Sequence, residues 1–181
     1  MRAFAASAIN AFVLTAMLLI MTTPKVLSQN ALDEWVGIWE GTNTTDFINA
    51  TPETVEVTLV ISKTDNYTWA WDFFYHENIA LGYPKFTLHY SLQFKDSSAT
   101  PYAMKKENGF VSYFRLFDHH LFSSYLIDGE EGTWTRNTDF QLSNGNQLEM
   151  MVTQYPLPQE KHVFGKMEPT LMQKAILHRK K

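Results

Sequence analysis

Six histidines, 19 carboxylates and 15 basic side chains are the groups in this 181-residue chain able to do acid–base, metal or ion-pair chemistry. Their spacing points away from catalysis. His119 and His120 are adjacent, so on a strand they face opposite ways and cannot share a metal ion. His76, His89, His162 and His178 are scattered, with neither the i, i+2 strand pair nor the i, i+4 helical pair of a metal site. Cysteine is absent, which excludes thiol nucleophiles, cysteine-based zinc sites, disulfides and a lipid-modified N-terminal cysteine. No nucleophile elbow, phosphate loop or zinc-protease helix occurs. Asp72 and Glu56 have the chemistry of a general acid or base, but glycosidase-type catalysis needs two carboxyls at a set separation. The expectation is no catalytic residue, no metal and no cofactor.

Arginines and aromatic rings offer binding chemistry instead. Trp69, Trp71, Phe73 and Tyr75 alternate along one segment, and Phe86, Leu88 and Tyr90 along the next. Rings on one face of a wide barrel line a cavity for an apolar ligand, with the Tyr and Trp polar atoms fixing its orientation. In a narrow barrel the same rings fill the core. Arg136 shares a face with Trp134 and Phe140, whereas Arg115 lies between Phe114 and Leu116 on the opposite face from them. An arginine pointing inward is costly unless paired, and would hold a ligand carboxylate; otherwise it faces solvent or pairs with Asp118, Asp128 or Asp139. The expected ligand-binding set is Trp69, Trp71, Phe73, Tyr75, Phe86, Leu88, Tyr90, Trp134 and Arg136.

The elements that would position these residues are strands. Apolar residues recur with period two almost throughout, the mark of half-buried strands. Thr54 to Ser62 puts Val55, Val57, Leu59 and Ile61 on one face, and Tyr67 to Tyr75 and Lys85 to Phe94 repeat the pattern. Further strands are expected at Phe110 to Phe117, His119 to Ile127, Gly132 to Leu142 and Gln147 to Tyr155, with a last segment from Thr170 to His178. Turns are expected at Lys63 to Asn66, Glu107 to Gly109, Asp128-Gly129 and Ser143 to Asn146, the last carrying the strongest hairpin signal. A loop, Pro156 to Pro169, precedes the final segment. About 8–10 strands joined mostly by hairpins make an all-β antiparallel meander, and closure into an up-and-down barrel removes its exposed edges. A two-sheet sandwich is the competing architecture.

One short stretch carries a family resemblance. Ala31 to Val36 is able to form one helical turn, and Glu34 to Gly41 (EWVGIWEG) contains the Gly-x-Trp pair Gly37 and Trp39. This resembles the opening motif of the calycin barrels: lipocalins, fatty-acid-binding proteins and nitrobindin-like proteins. The resemblance implies a barrel whose tryptophan, here Trp39, plugs one end, with Gly37 and Trp39 structural. It also implies a basic residue of the last strand over that tryptophan, a role open to Arg179. Departures identify no subfamily. Thr138-Asp139-Phe140 is close to a lipocalin turn motif but sits inside an expected strand. The tail lacks the Arg-x-Tyr of fatty-acid-binding proteins, and His178 is the one C-terminal histidine available for a nitrobindin-like haem.

The N-terminus has the parts of a secretory signal: Arg2, an apolar run from Ala11 to Met21, and a polar stretch ending at a small-residue cut after Ser28. The run is shorter than the roughly 20 residues a membrane span needs. The division expected is a signal peptide at 1–28 and a single domain at 29–181, with no later membrane span. Two of the 15 basic residues, Arg2 and Lys25, lie in that leader and none of the acids does, so the mature chain is more acidic than the overall net charge of −4. That sign argues against nucleic acid, which wants a basic face. Asn43, Asn49 and Asn66 head N-x-Thr sequons, surface glycosylation sites if the source is eukaryotic. Together these features lead to a secreted (in a Gram-negative bacterium, periplasmic) lipocalin-like barrel whose partner is a small apolar or amphipathic molecule. An extracellular interaction module with a filled barrel, or an enzyme acting on an apolar substrate, are the alternatives.

Overall fold

The computed structural model describes residues 32–48, 50–82, 84–93, 102–106, 111–129, 132–157 and 168–181. A 3-10 turn at Asp33–Trp35 leads into ten strands: β1 (Gly37–Phe47), β2 (Glu53–Asp65), β3 (Thr68–Tyr75), β4 (Phe86–Gln93), β5 (Tyr102–Lys106), β6 (Val111–Phe117), β7 (His120–Gly129), β8 (Gly132–Ser143), β9 (Gln147–Pro156) and β10 (Leu171–Arg179). Each pairs antiparallel with its neighbour in sequence, and β1 closes onto β10, so the sheet is a closed up-and-down barrel. No helix among the described residues is long and apolar enough to cross a membrane. The expected leader and the turn at Glu107 to Gly109 lie outside the described residues.

Alternation explains why these segments are strands. Val57, Leu59 and Ile61 of β2 face inward, and Trp69, Trp71 and Phe73 of the neighbouring β3 do the same, with Leu59 opposite Phe73 and Ile61 opposite Trp71. Each strand thus buries one face in the barrel and leaves the other to water, as period-two patterning requires. The β8–β9 hairpin turns on Asn144 and Gly145, both at positive φ, the conformation that an Asn-Gly turn favours. Two segments depart from the sequence reading. Tyr67 sits in the β2–β3 turn and is exposed, where alternation placed it on the inward face. Asp128 and Gly129 pair with Thr133 and Gly132 as the end of the β7–β8 ladder, so that hairpin turns later than expected.

Closure between β1 and β10 depends on Gly41. A Cβ there would lie 2.0 Å from the Ile176 carbonyl oxygen, so only glycine lets the two backbones approach. One end of the barrel is sealed. Trp35, Trp39, Trp69 and Trp71 are fully buried there, and Trp39 Nε1 donates to the Trp35 carbonyl at 2.9 Å. Arg179 lies over the Trp39 ring with its guanidinium carbon 4.3 Å from the centroid. Its nitrogens donate to the carbonyls of Gly145 (2.8 Å), Val36 (2.7 Å) and Glu34. Gly37, at φ +152°, leaves room for that guanidinium, since a Cβ would meet Arg179 Nη1 at 3.0 Å. Asp33 completes the seal, bonded to Lys63 at 2.9 Å and to Trp69 Nε1 at 3.3 Å.

Candidate functional site: a cavity in the open half of the barrel

Away from the tryptophan seal the barrel is hollow. A cavity of about 540 Å3 opens at the end where β1 meets β2 and β3 meets β4. The space arises because short side chains face inward where large ones would fill the bore. Asn43, Ser112 and Thr138 line the cavity and are buried, contributed by β1, β6 and β8. Ten strands also enclose a wider bore than eight.

Below them, Phe73, Phe114 and Phe140 form an apolar floor with Met104 and Met150. The Phe73–Phe140 and Phe114–Phe140 centroids are 6.3 and 5.9 Å apart, and Phe140 meets Trp71 edge-on at 5.1 Å, joining the floor to the seal. Rings continue up one wall: Phe73 meets Tyr90 edge-on at 5.8 Å, and Tyr75 stacks on Phe86 at 4.4 Å. Tyr125 and Arg136 add polar atoms on β7 and β8, where they are paired across the ladder. At the mouth stand Phe47, Glu53, Val55, His76 and Ile127. Gln173 lines the cavity from β10 and donates to Thr45 Oγ1 at 3.2 Å, while His76 is hydrogen-bonded to Thr58.

Burial tunes the phenols. It pushes Tyr75 up to about 12, with the neighbouring Tyr90 adding to the shift. Tyr90 is raised as well, mainly by burial and then by Tyr125, against an opposing pull from the Arg136 charge. Both therefore remain neutral at physiological pH and offer O–H groups to whatever occupies the cavity. Among the described cavity residues no histidine or carboxylate is buried: His76 is exposed and Glu53 half-buried at the mouth.

Of the residues expected to bind ligand, Phe73, Tyr75, Phe86, Leu88, Tyr90 and Arg136 line the cavity. Trp69 and Trp71 do not; they face inward but are packed in the sealed end. Trp134 is half-buried and outside the cavity wall, near the mouth end of β8 opposite Ile127. Arg115 is exposed on the outer face. Asn43 corrects the sequon reading: its side chain is 3% exposed inside the barrel, where a glycan has no room. Asn66 is exposed on the β2–β3 turn, and Asn49 lies outside the described residues. His178 is exposed on β10, away from the cavity. Phe114, Ser112, Met104, Met150 and Tyr125 line the cavity without having been expected. The alternation of Ser112, Phe114 and Leu116 was the available signal for two of them.

No sequence-family model matches the chain, and no curated protein sequence resembles it. Solved structures share its fold. A phycobiliprotein lyase, CPES from Guillardia theta, superposes with a TM-score of 0.58 at 10% identity, covering 84% of this chain and 92% of its own. A DUF3598-family protein of unknown function from Nostoc punctiforme gives 0.58 at 16% identity, over 88% of this chain and 53% of its own. Rv2717c from M. tuberculosis gives 0.54 at 11% identity, over 87% and 99%. At these identities the likeness shows the fold, a closed antiparallel β-barrel, and nothing narrower.

Proposed function

We propose that this chain is a binding protein that holds one small amphipathic molecule in the open half of its barrel. The observation carrying the reading is the cavity of about 540 Å3, inside the range of roughly 300–1,000 Å3 typical of small-molecule sites. Its aromatic floor suits an apolar body, and Arg136, Tyr90 and Tyr125 suit a polar end. The closed ten-strand barrel supports a site inside the bore, and the Gly37–Trp39–Arg179 seal supports placement with the calycins. The Arg2-led apolar leader supports export and cleavage after Ser28, tested by intact mass, which places the mature N-terminus at Gln29. In a eukaryotic secretory pathway Asn66 is the accessible sequon among the described residues.

Native mass spectrometry of the purified mature protein tests the binding reading. One co-purifying small molecule per chain, released on denaturation, is expected. A bare mass together with no saturable binding of a hydrophobic fluorophore contradicts it. A second reading, an extracellular interaction module, is favoured by Tyr113, Phe117, Phe122 and Leu126, exposed on the outer faces of β6 and β7. It predicts self-association or partner capture that survives blockage of the cavity.

A further inference from the structure

Arg136 is the one arginine among the described residues lining the cavity, and its Nε is buried with no hydrogen-bond partner there. A guanidinium is always charged, so facing a low-dielectric cavity without a counterion is costly. No ion pair to Arg136 occurs among the described residues. Asp139, three residues along β8, pairs instead with His120 at 3.1 Å. Glu53 stands beside the mouth at the start of β2, across the barrel from β8. Tyr125 is the cross-strand neighbour of Arg136, and Tyr90 lies within reach of its charge; both supply phenols, not carboxylates.

We propose that the cavity selects ligands bearing an oxyacid anion, a carboxylate or sulfonate, which Arg136 receives while the ligand's apolar body lies against Phe73, Phe114 and Phe140. This deepens, and rests on, the reading of the cavity as a binding site. The planar fork of the guanidinium presents parallel N–H donors to two oxygens of such a group. The phenols of Tyr90 and Tyr125 flank the same position.

Two fluorophores with one skeleton test it: 1-anilinonaphthalene-8-sulfonate, an anion, and N-phenyl-1-naphthylamine, its neutral counterpart. They are titrated against wild type, Arg136→Met and Arg136→Lys, each shown folded by circular dichroism. Wild type is expected to bind the sulfonate more tightly than the amine. Arg136→Met is expected to weaken the sulfonate about 10- to 100-fold and the amine by less than about twofold, with Arg136→Lys intermediate. If the sulfonate binds Arg136→Met as well as wild type, or both probes weaken equally, the anion site is wrong while the cavity remains a binding site. If neither probe binds wild type saturably, the binding reading itself fails and this inference with it.

Discussion

Arg179 shows how much one side chain can hold. Its guanidinium joins the last strand to the β8–β9 turn, to the segment before β1 and to the Trp39 face. Three backbone acceptors lose their donor at once if it is removed. Arg179→Met is therefore expected to lower unfolding free energy by about 2–4 kcal/mol, read from urea denaturation. Tyr75 makes a separate residue-scale claim. Its proton is held in the folded state up to about pH 12 but released near 10 when unfolded. The unfolded state then binds fewer protons, so this contribution to stability is complete below pH 10 and is lost as pH rises toward 12. Tyr75→Phe removes that dependence, and the stability gap between wild type and variant is expected to shift in the variant's favour across that interval. At this scale the sequence was informative where a side chain's partner is fixed by a motif, as with Gly37, Trp39 and Arg179. It misled at Asn43, where a sequon and an inward-facing strand position coincide and only the register decides between them.

Among the elements, β2, β3 and β4 were legible because their alternation is nearly unbroken and their inward residues are large. The β8–β9 hairpin was legible for a local reason, the Asn144-Gly145 pair. β5 was not assigned from sequence. Tyr102–Lys106 is short and ends in two lysines, and it becomes a strand through pairing with β4 and β6 on either side. Its place is imposed by neighbours rather than by its own pattern, which is how tertiary context overrides propensity. Closure is likewise an element-scale property concentrated at one residue. Gly41→Val drives a side chain into the Ile176 carbonyl, so it is expected to cost about 3 kcal/mol or more and to increase hydrogen exchange along β1 and β10 first.

For the molecule as a whole, the all-β meander and its closed barrel followed from strand count and hairpin signals. The division of the bore into a packed half and a hollow half did not. That division depends on which inward residues from distant parts of the chain share a level: four tryptophans at one end, and Asn43, Ser112 and Thr138 in the other half. Such levels are set by register and strand tilt, which alternation within a single strand cannot show. The same alternation placed Trp71 and Phe73 on one face, yet Trp71 became part of the seal and Phe73 part of the cavity wall.

The central claim is that this hollow half is an accessible site for one small molecule, and a cavity-filling substitution tests it most directly. Ser112→Phe places a ring in the space beside Phe114 and Met104 from a position that is small in the native chain. Titration of N-phenyl-1-naphthylamine, with the fold checked by circular dichroism, is expected to show one saturable site in wild type and affinity at least about tenfold weaker in the folded variant. Equal binding to both proteins would place the ligand elsewhere and contradict the account.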